Sequence, residues 1–99
     1  MKINIIKALA NDKRLLVLEW LKNPRKHFGK QIYGDLVNDG VCGLLIARKL
    51  GVSPPTLSAH MRHLTSTGLV KGKKIRQWVF YQRDEARIKR IVQSLAKDL

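Results

Sequence analysis

The chain has 99 residues, of which 20 are Lys or Arg and 7 are Asp or Glu, so its formal net charge is +13. This length predicts one domain over residues 1–99, and a hydrophobic share of 44% is too high for a disordered basic tail. One cysteine excludes an internal disulfide framework. No uncharged run reaches the roughly 18 residues that a spanning helix needs, and the start lacks the apolar core of a secretory signal. We therefore expect a cytoplasmic protein that does not bind membranes.

Two helices are predicted at the start of the chain. The first covers residues 2–10, and its apolar side is formed by Ile3, Ile6, Leu9 and Ala10. Asn11-Asp12 then supplies an N-cap for a helix over residues 13–22 that is apolar nearly all round, which predicts a central position. Pro24 ends this helix. Residues 23–43 are rich in turn formers and predict a long loop with a half-helix near residues 32–37.

A helix-turn-helix pattern follows over residues 44–67. A short helix over residues 44–50 ends at Gly51, in the left-handed position that glycine favours, and Ser53 caps a second helix whose first residue is Pro54. In that second helix Leu57, Met61 and Leu64 recur on one face and form a buried stripe. Small Ala47 allows the two helices to cross closely. This arrangement is typical of proteins that place the second helix in the major groove of DNA.

The remaining residues predict a basic hairpin and a last helix. Residues 69–70 and 77–82 are strand-like, and the turn that joins them, residues 71–76, is strongly basic. We therefore expect a wing over residues 69–82. A helix over residues 84–98 begins with two carboxylates at its positive end, and its apolar face carries Ile88, Ile91, Val92, Leu95 and Leu99.

The distribution of charge supports a polyanionic partner. No Asp or Glu lies between Gly40 and Arg83, although eight Lys and Arg residues fall in that stretch. A membrane surface is the rival polyanion, but it requires a basic amphipathic helix with bulky apolar residues opposite, or a lipidation signal. Nucleic acid is therefore the expected partner.

Three segments resemble the ArsR/SmtB family of bacterial winged-helix repressors: KALANDKRLLVLEWL at residues 7–21, IARKLGVSPPTLSAHMRHLTSTGLV at 46–70 and RQWVFYQ at 76–82. The resemblance implies a mainly α fold with a two-stranded β wing, that is, a winged helix-turn-helix. It also implies a dimer formed through the terminal helices, residues 2–10 and 84–98, that binds specific duplex DNA as a repressor. The alternative to dimerisation is that the apolar stripes of the two terminal helices pack into the core of a single chain. Three departures from the family pattern stand out. Ala59 replaces a long polar residue, and Arg76 replaces the glycine at the wing tip. The loop from Asn23 to Gly40 is longer than is typical of the family and matches none of its motifs.

The second helix of the pattern and the wing contain the candidate DNA contacts. Candidates for reading base edges are Pro55, Thr56, Ser58, Ala59 and Arg62. Candidates for the phosphate backbone are Ser53, His63, Lys71, Lys73, Lys74 and Arg76. Ser58 and Arg62 are each open to either role.

No cofactor or enzyme activity is predicted, and a metal site that draws on His27, Cys42, His60 and His63 is only the lesser alternative. The resemblance aligns Cys42 with the first cysteine of a family Cys-x-Cys metal site, but Leu44 occupies the second position. Cys42 is then a small buried residue or a redox-sensing thiol. His60, beside the buried stripe, is expected to pack or to form a hydrogen bond between helices. An enzyme using Cys42 and His60 lacks a nearby carboxylate to orient the base. The alternative function is a winged-helix module that binds RNA or protein.

Overall fold

The helices and strands follow the order expected for a winged helix-turn-helix. The computed structural model describes residues 3–99, and the statements below concern that range. Its helices are α1 Ile3–Leu9, α2 Asp12–Lys22, α3 Pro24–His27, α4 Gly43–Leu50, α5 Pro54–Ser66 and α6 Glu85–Asp98. Its strands are β1 Val41–Cys42, β2 Val70–Ile75 and β3 Trp78–Arg83. The mainly helical winged architecture is confirmed, but the antiparallel sheet has three strands in the order β1-β3-β2 rather than two.

The helix starts use the predicted caps. The side chain of Asn11 accepts hydrogen bonds from the backbone N–H groups of Lys13 and Arg14, at 3.0 and 3.1 Å. Ser53 Oγ accepts from Thr56 N–H at 3.3 Å. These bonds satisfy donors that have no partner inside the helix, so both helices begin where the sequence predicts within one residue.

The helix-turn-helix is held by a small buried contact and a left-handed turn. Ala47 is buried where α4 packs against α5, and Gly51 ends α4 with φ +71°. Leu57, Met61 and Leu64 are buried, as predicted. Full burial of each such side chain contributes roughly 1.5–3 kcal/mol, so this stripe fixes the orientation of α5 on the core.

Strand β2 of the wing is longer than predicted, whereas the wing as a whole, residues 70–83, lies within one residue of the predicted bounds 69–82. Ile75 pairs with Trp78, so the loop between β2 and β3 contains only Arg76 and Gln77. The lysine-rich segment predicted as a turn instead continues as strand β2, because backbone pairing with β3 outweighs the low β-propensity of its Lys and Gly residues. The third strand arises where Val41 pairs with Tyr81.

Residues 28–40 form an irregular loop without the predicted half-helix. Asp35 turns the chain, because its carboxylate accepts from the N–H groups of Val37 and Asn38 at 3.0 and 2.8 Å. Gly34 and Gly40 have φ +76° and +105°, which ends any helical continuation on either side. A single turn remains, closed by the hydrogen bond from Asp39 N–H to the carbonyl oxygen of Asp35 at 2.9 Å, and the helix of this region lies earlier, at α3, where Pro24 takes an N-terminal position.

The terminal helices leave apolar residues in water. The core side of α1 is formed by Ile5 and Ala8, while Ile3 is 63% exposed and Ile6 is also exposed. The last helix, α6, has no fully buried residue, and its Val92 is 57% exposed. In α2, Val17, Leu18 and Leu21 are buried. Its Leu15 and Leu16 are exposed, so α2 is less enclosed than predicted. No helix within residues 3–99 has the length and apolar character required to span a bilayer.

Candidate nucleic-acid interface

The outer face of α5 brings the predicted base-reading residues together. Because Leu57, Met61 and Leu64 anchor the helix to the core, the opposite side is left in solvent. Its exposed residues are Pro55, Thr56, Ser58, Ala59 and Arg62, with His63 beside them. The guanidinium of Arg62 makes no hydrogen bond or ion pair within the described chain, so it is available to an external partner. This face therefore combines one cation with hydroxyl and methyl groups, the chemistry that reads base edges.

Ser53 stands at the start of this face but its hydroxyl is already engaged. Besides capping α5, Ser53 Oγ donates to Thr56 Oγ1 at 3.0 Å. A phosphate contact from the Ser53 hydroxyl would therefore have to form beside its two hydrogen bonds with Thr56, or replace the bond to Thr56 Oγ1. Both residues remain exposed.

The wing lysines divide between the two faces of the sheet. Alternation along a strand places Lys71 and Lys73, opposite Gln82 and Phe80, on one face, and Lys74, opposite Val79, on the other. The sequence predicted a single basic turn, in which no such division arises. All three lysines are exposed.

Lys73 is paired with a carboxylate from the loop of residues 28–40. Lys73 Nζ lies 2.5 Å from Asp39 Oδ1. This bond, followed by the N–H of Asp35, lowers the pKa of Asp39 below its ordinary value. The same loop is tied to β3, because the side-chain amide of Gln82 donates to the carbonyl oxygens of Val37 and Asn38. The segment from Gly40 to Arg83 contains no carboxylate in its sequence, but the fold places the Asp39 carboxylate against it. No local feature of the sequence indicated this contact.

Arg76 occupies the wing tip in a left-handed conformation. Its φ is +57°, in the region in which glycine is favoured. This agrees with the resemblance, which places a glycine at this position of the wing tip. The guanidinium carbon lies 4.8 Å from the centre of the Tyr33 ring, a cation–π distance. Tyr33 therefore links the loop to the wing tip, a role that the sequence did not predict.

His60 joins α5 to the N-terminal helices. Arg14 Nη1 lies 3.1 Å from His60 Nδ1, and the same guanidinium donates to the carbonyl oxygens of Lys7 and Ala8. The predicted interhelical bond of His60 is confirmed. Burial, then the charge of Arg14, and then those of His63 and Lys13 lower the pKa of His60.

Cys42 is a half-buried free thiol at the end of β1. It precedes α4 without forming a side-chain cap, and its N–H donates to Gln31 Oε1 at 3.1 Å. Within residues 3–99, no cluster of three or more His, Cys, Asp or Glu side chains has a geometry suited to a metal ion.

Comparison with known proteins agrees with this geometry. A family of winged helix-turn-helix DNA-binding domains matches residues 36–71, which include α4, α5 and the start of the wing. Over 97 residues the chain is 35% identical to the uncharacterised HTH-type transcriptional regulator YbzH of Bacillus subtilis, covering 98% of this chain and 97% of YbzH.

Solved structures place the fold among ArsR regulators. The homodimeric winged helix-turn-helix domain of Mb0332 from Mycobacterium bovis, described as a possible ArsR-family regulator, is 27% identical with a TM-score of 0.63, covering 97% of this chain and 78% of that one. The ArsR family regulator RHA00566 shares the fold at 17% identity, with a TM-score of 0.69. The alignment covers 96% of this chain and 82% of RHA00566. The chain belongs to the HTH-type transcriptional regulators, and its winged helix-turn-helix fold is similar to that of ArsR-family regulators.

Proposed function

We propose that the chain is a homodimeric repressor that binds a specific duplex DNA site, with α5 in the major groove and the wing on the phosphate backbone. The observation that carries this proposal is the solvent-exposed outer face of α5 beside a basic hairpin. The stripe from Leu57 to Leu64 holds α5 on the core, so the outer face is rigid and its contacts need little reorganisation. Such a regulator would act in the cytoplasm, as expected from the sequence.

Base reading is assigned to the first two turns of α5. Residues near the N-terminus of a recognition helix reach base edges, which favours Thr56, Ser58 and Ala59, with Pro55 in apolar contact. The methyl group of Ala59 suits a thymine methyl. Arg62 lies further along the same face, where its guanidinium reaches either a guanine edge or a phosphate.

Phosphate binding is assigned to the wing cations and to the ends of α5. Lys74 and Arg76 are exposed, and Lys74 makes no ion pair among the described residues. Lys71, Ser53 and His63 complete the proposed backbone contacts. Lys73 contributes only after it leaves Asp39, because a phosphate and that carboxylate compete for the same ammonium group.

Dimerisation is assigned to the terminal helices. A monomer leaves Ile3 on α1 and Val92 on α6 in water, and a second copy would cover both stripes. The related Mb0332 domain is homodimeric. Replacement Val92→Asp should leave the fold intact, since Val92 packs little within one chain, and should give monomers in analytical ultracentrifugation.

The matched control for the dimer is Val37→Asp, which adds the same charge at a loop valine that is 44% exposed. We expect this variant to sediment as a dimer. A Val92→Asp variant that also remains dimeric would contradict the assignment of α6.

Duplex specificity is tested by competition at fixed salt. A labelled duplex bound by the protein should be displaced by unlabelled duplex and not by the same strand alone. Preferential displacement by single-stranded DNA or RNA would favour the alternative of an RNA-binding module, and no duplex binding at all would leave a protein-binding module. Repression is tested with a reporter gene whose promoter carries the bound site, and activation of that reporter would contradict the repressor assignment.

The wing assignment is tested with Lys73→Ala/Lys74→Ala. Loss of phosphate contacts should weaken binding to all sequences alike and flatten the dependence of affinity on salt. The control Lys22→Ala/Lys26→Ala removes two exposed lysines outside α5 and the wing and should bind with unchanged slope. An unchanged slope in the wing variant would refute the assignment.

A further inference from the structure

A cleft of about 260 Å³ lies between the loop of residues 28–40, α4 and strand β3. Residues 30–33 of the loop form one wall, Leu44, Leu45 and Arg48 of α4 form another, and Trp78 and Phe80 of β3 form the third. The three walls come from separate segments of the chain. Their meeting depends on the loop contacts with β2 and β3 described above.

The walls of this cleft are mainly apolar and aromatic. Phe80 is buried, whereas Trp78 is half-buried and so offers part of its ring to the cleft. Ile32 is 91% exposed on the loop wall. When an apolar molecule covers an apolar side chain at the mouth of an aromatic cleft, the burial of both surfaces lowers the free energy and favours binding.

Two cations line the same cleft, and no carboxylate does. Lys30 projects from the loop and Arg48 from α4, and both are exposed. Within residues 3–99 neither makes an ion pair or a hydrogen bond through its side chain. Lys73 and Arg83, by contrast, are paired with Asp39 and Glu85. No carboxylate of the described chain therefore neutralises the two charges of the cleft.

We propose that this cleft binds a small organic carboxylate with an apolar body. The apolar part would pack against Trp78 and Ile32, and the carboxylate would accept hydrogen bonds from Arg48 and Lys30. The volume is below the roughly 300–1,000 Å³ typical of drug-sized ligands, so the ligand is of the size of one or two rings. The proposal concerns a surface distinct from the outer face of α5 and does not require that the chain bind DNA.

The experiment uses 1-naphthoate as the probe and neutral 1-naphthylmethanol as its uncharged analogue. Binding to the full chain is measured by calorimetry and by amide and indole chemical shifts at constant ionic strength. We expect saturable binding of one naphthoate per chain, with shifts concentrated at Trp78 and the cleft. The variant Lys30→Gln/Arg48→Gln should bind naphthoate about tenfold more weakly, with little effect on naphthylmethanol.

The control Lys22→Gln/Lys26→Gln makes the same change in net charge outside the cleft and should bind naphthoate as the unmodified chain does. Both double variants replace exposed side chains, and circular dichroism checks that they fold. The proposal is overturned by the absence of saturable binding at millimolar naphthoate or by equal weakening in the control. It is also overturned if acetate at the same ionic strength produces the same shifts, because the chain then attracts anions through its net charge alone. No DNA is present, so the outcome is independent of the proposed repressor function.

Discussion

Replacing Asp39 with Asn should strengthen DNA binding and make it more sensitive to salt. In the free protein Asp39 holds the ammonium group of Lys73, whose side chain is 52% exposed. The substitution removes the competing carboxylate and leaves Lys73 free for a phosphate. Each additional phosphate contact steepens the slope of log Kobs against log salt by about 0.9, so a dimer should gain a slope of about 1.8. Between about 50 and 200 mM salt, the affinity of the variant should then fall about tenfold more than that of the unmodified protein.

The assay is fluorescence anisotropy with one labelled duplex at several salt concentrations. The control is Glu19→Gln, which makes the same change in charge on α2, where Glu19 forms no ion pair among the described residues. This control should retain the original slope. An unchanged slope in Asp39→Asn, or an equal change in both variants, would refute the view that Asp39 restrains Lys73.

Three further predictions concern stability. Leu64→Ala should lower the free energy of unfolding by about 2–5 kcal/mol in urea titrations, because Leu64 is fully buried, whereas Ile32→Ala should stay within about 0.5 kcal/mol. Gly51→Ala should cost about 1–2 kcal/mol through its left-handed φ alone, since nothing lies within 4 Å of the added methyl, and a neutral result would contradict this reason. Because its pKa in the folded chain lies below the ordinary 6.5, His60 takes up a proton more readily when unfolded, so stability should fall as the pH drops through that value. In His60→Gln this decline should be shallower, and an identical decline would show that another group is responsible.

The helix-turn-helix could be predicted from sequence because its determinants are local. Gly51 and Ser53 act on the backbone within four residues of themselves, and the stripe from Leu57 to Leu64 has a period that only one helix face satisfies. The exposed outer face of α5 follows from that stripe. The exposure of the α5 candidates could therefore be predicted from the sequence, whereas their contacts with DNA stay a prediction.

The contacts of the loop could not be predicted, because they depend on residues far apart in the chain. Strand β1 has only two residues and exists because Val41 meets Tyr81 on β3. Likewise the partner of Lys73 lies 34 residues away, at Asp39. Without knowledge of these pairings, the sequence predicts a solvated turn over residues 71–76 and gives no indication that the loop contacts the wing.

Which of the two apolar faces of α1 packs into the core could not be predicted, for a related reason. Ile3 and Ile6 share one side of this helix and Ile5 and Ala8 another, so the pattern offers two apolar faces. Packing against the rest of the chain selects Ile5 and Ala8 for the core. The remaining stripe at Ile3 and Ile6 is the one proposed for the partner subunit.

The central claim, that a symmetric dimer reads duplex DNA with α5, is tested most directly by selecting bound duplexes from a random pool. The proposal predicts a two-fold symmetric site with half-site centres about 10 base pairs apart, one turn of the double helix. Arg62→Ala should relax the preference at defined positions of each half-site if this side chain reads a base. An asymmetric site, or a pool without any enriched sequence, would contradict the claim.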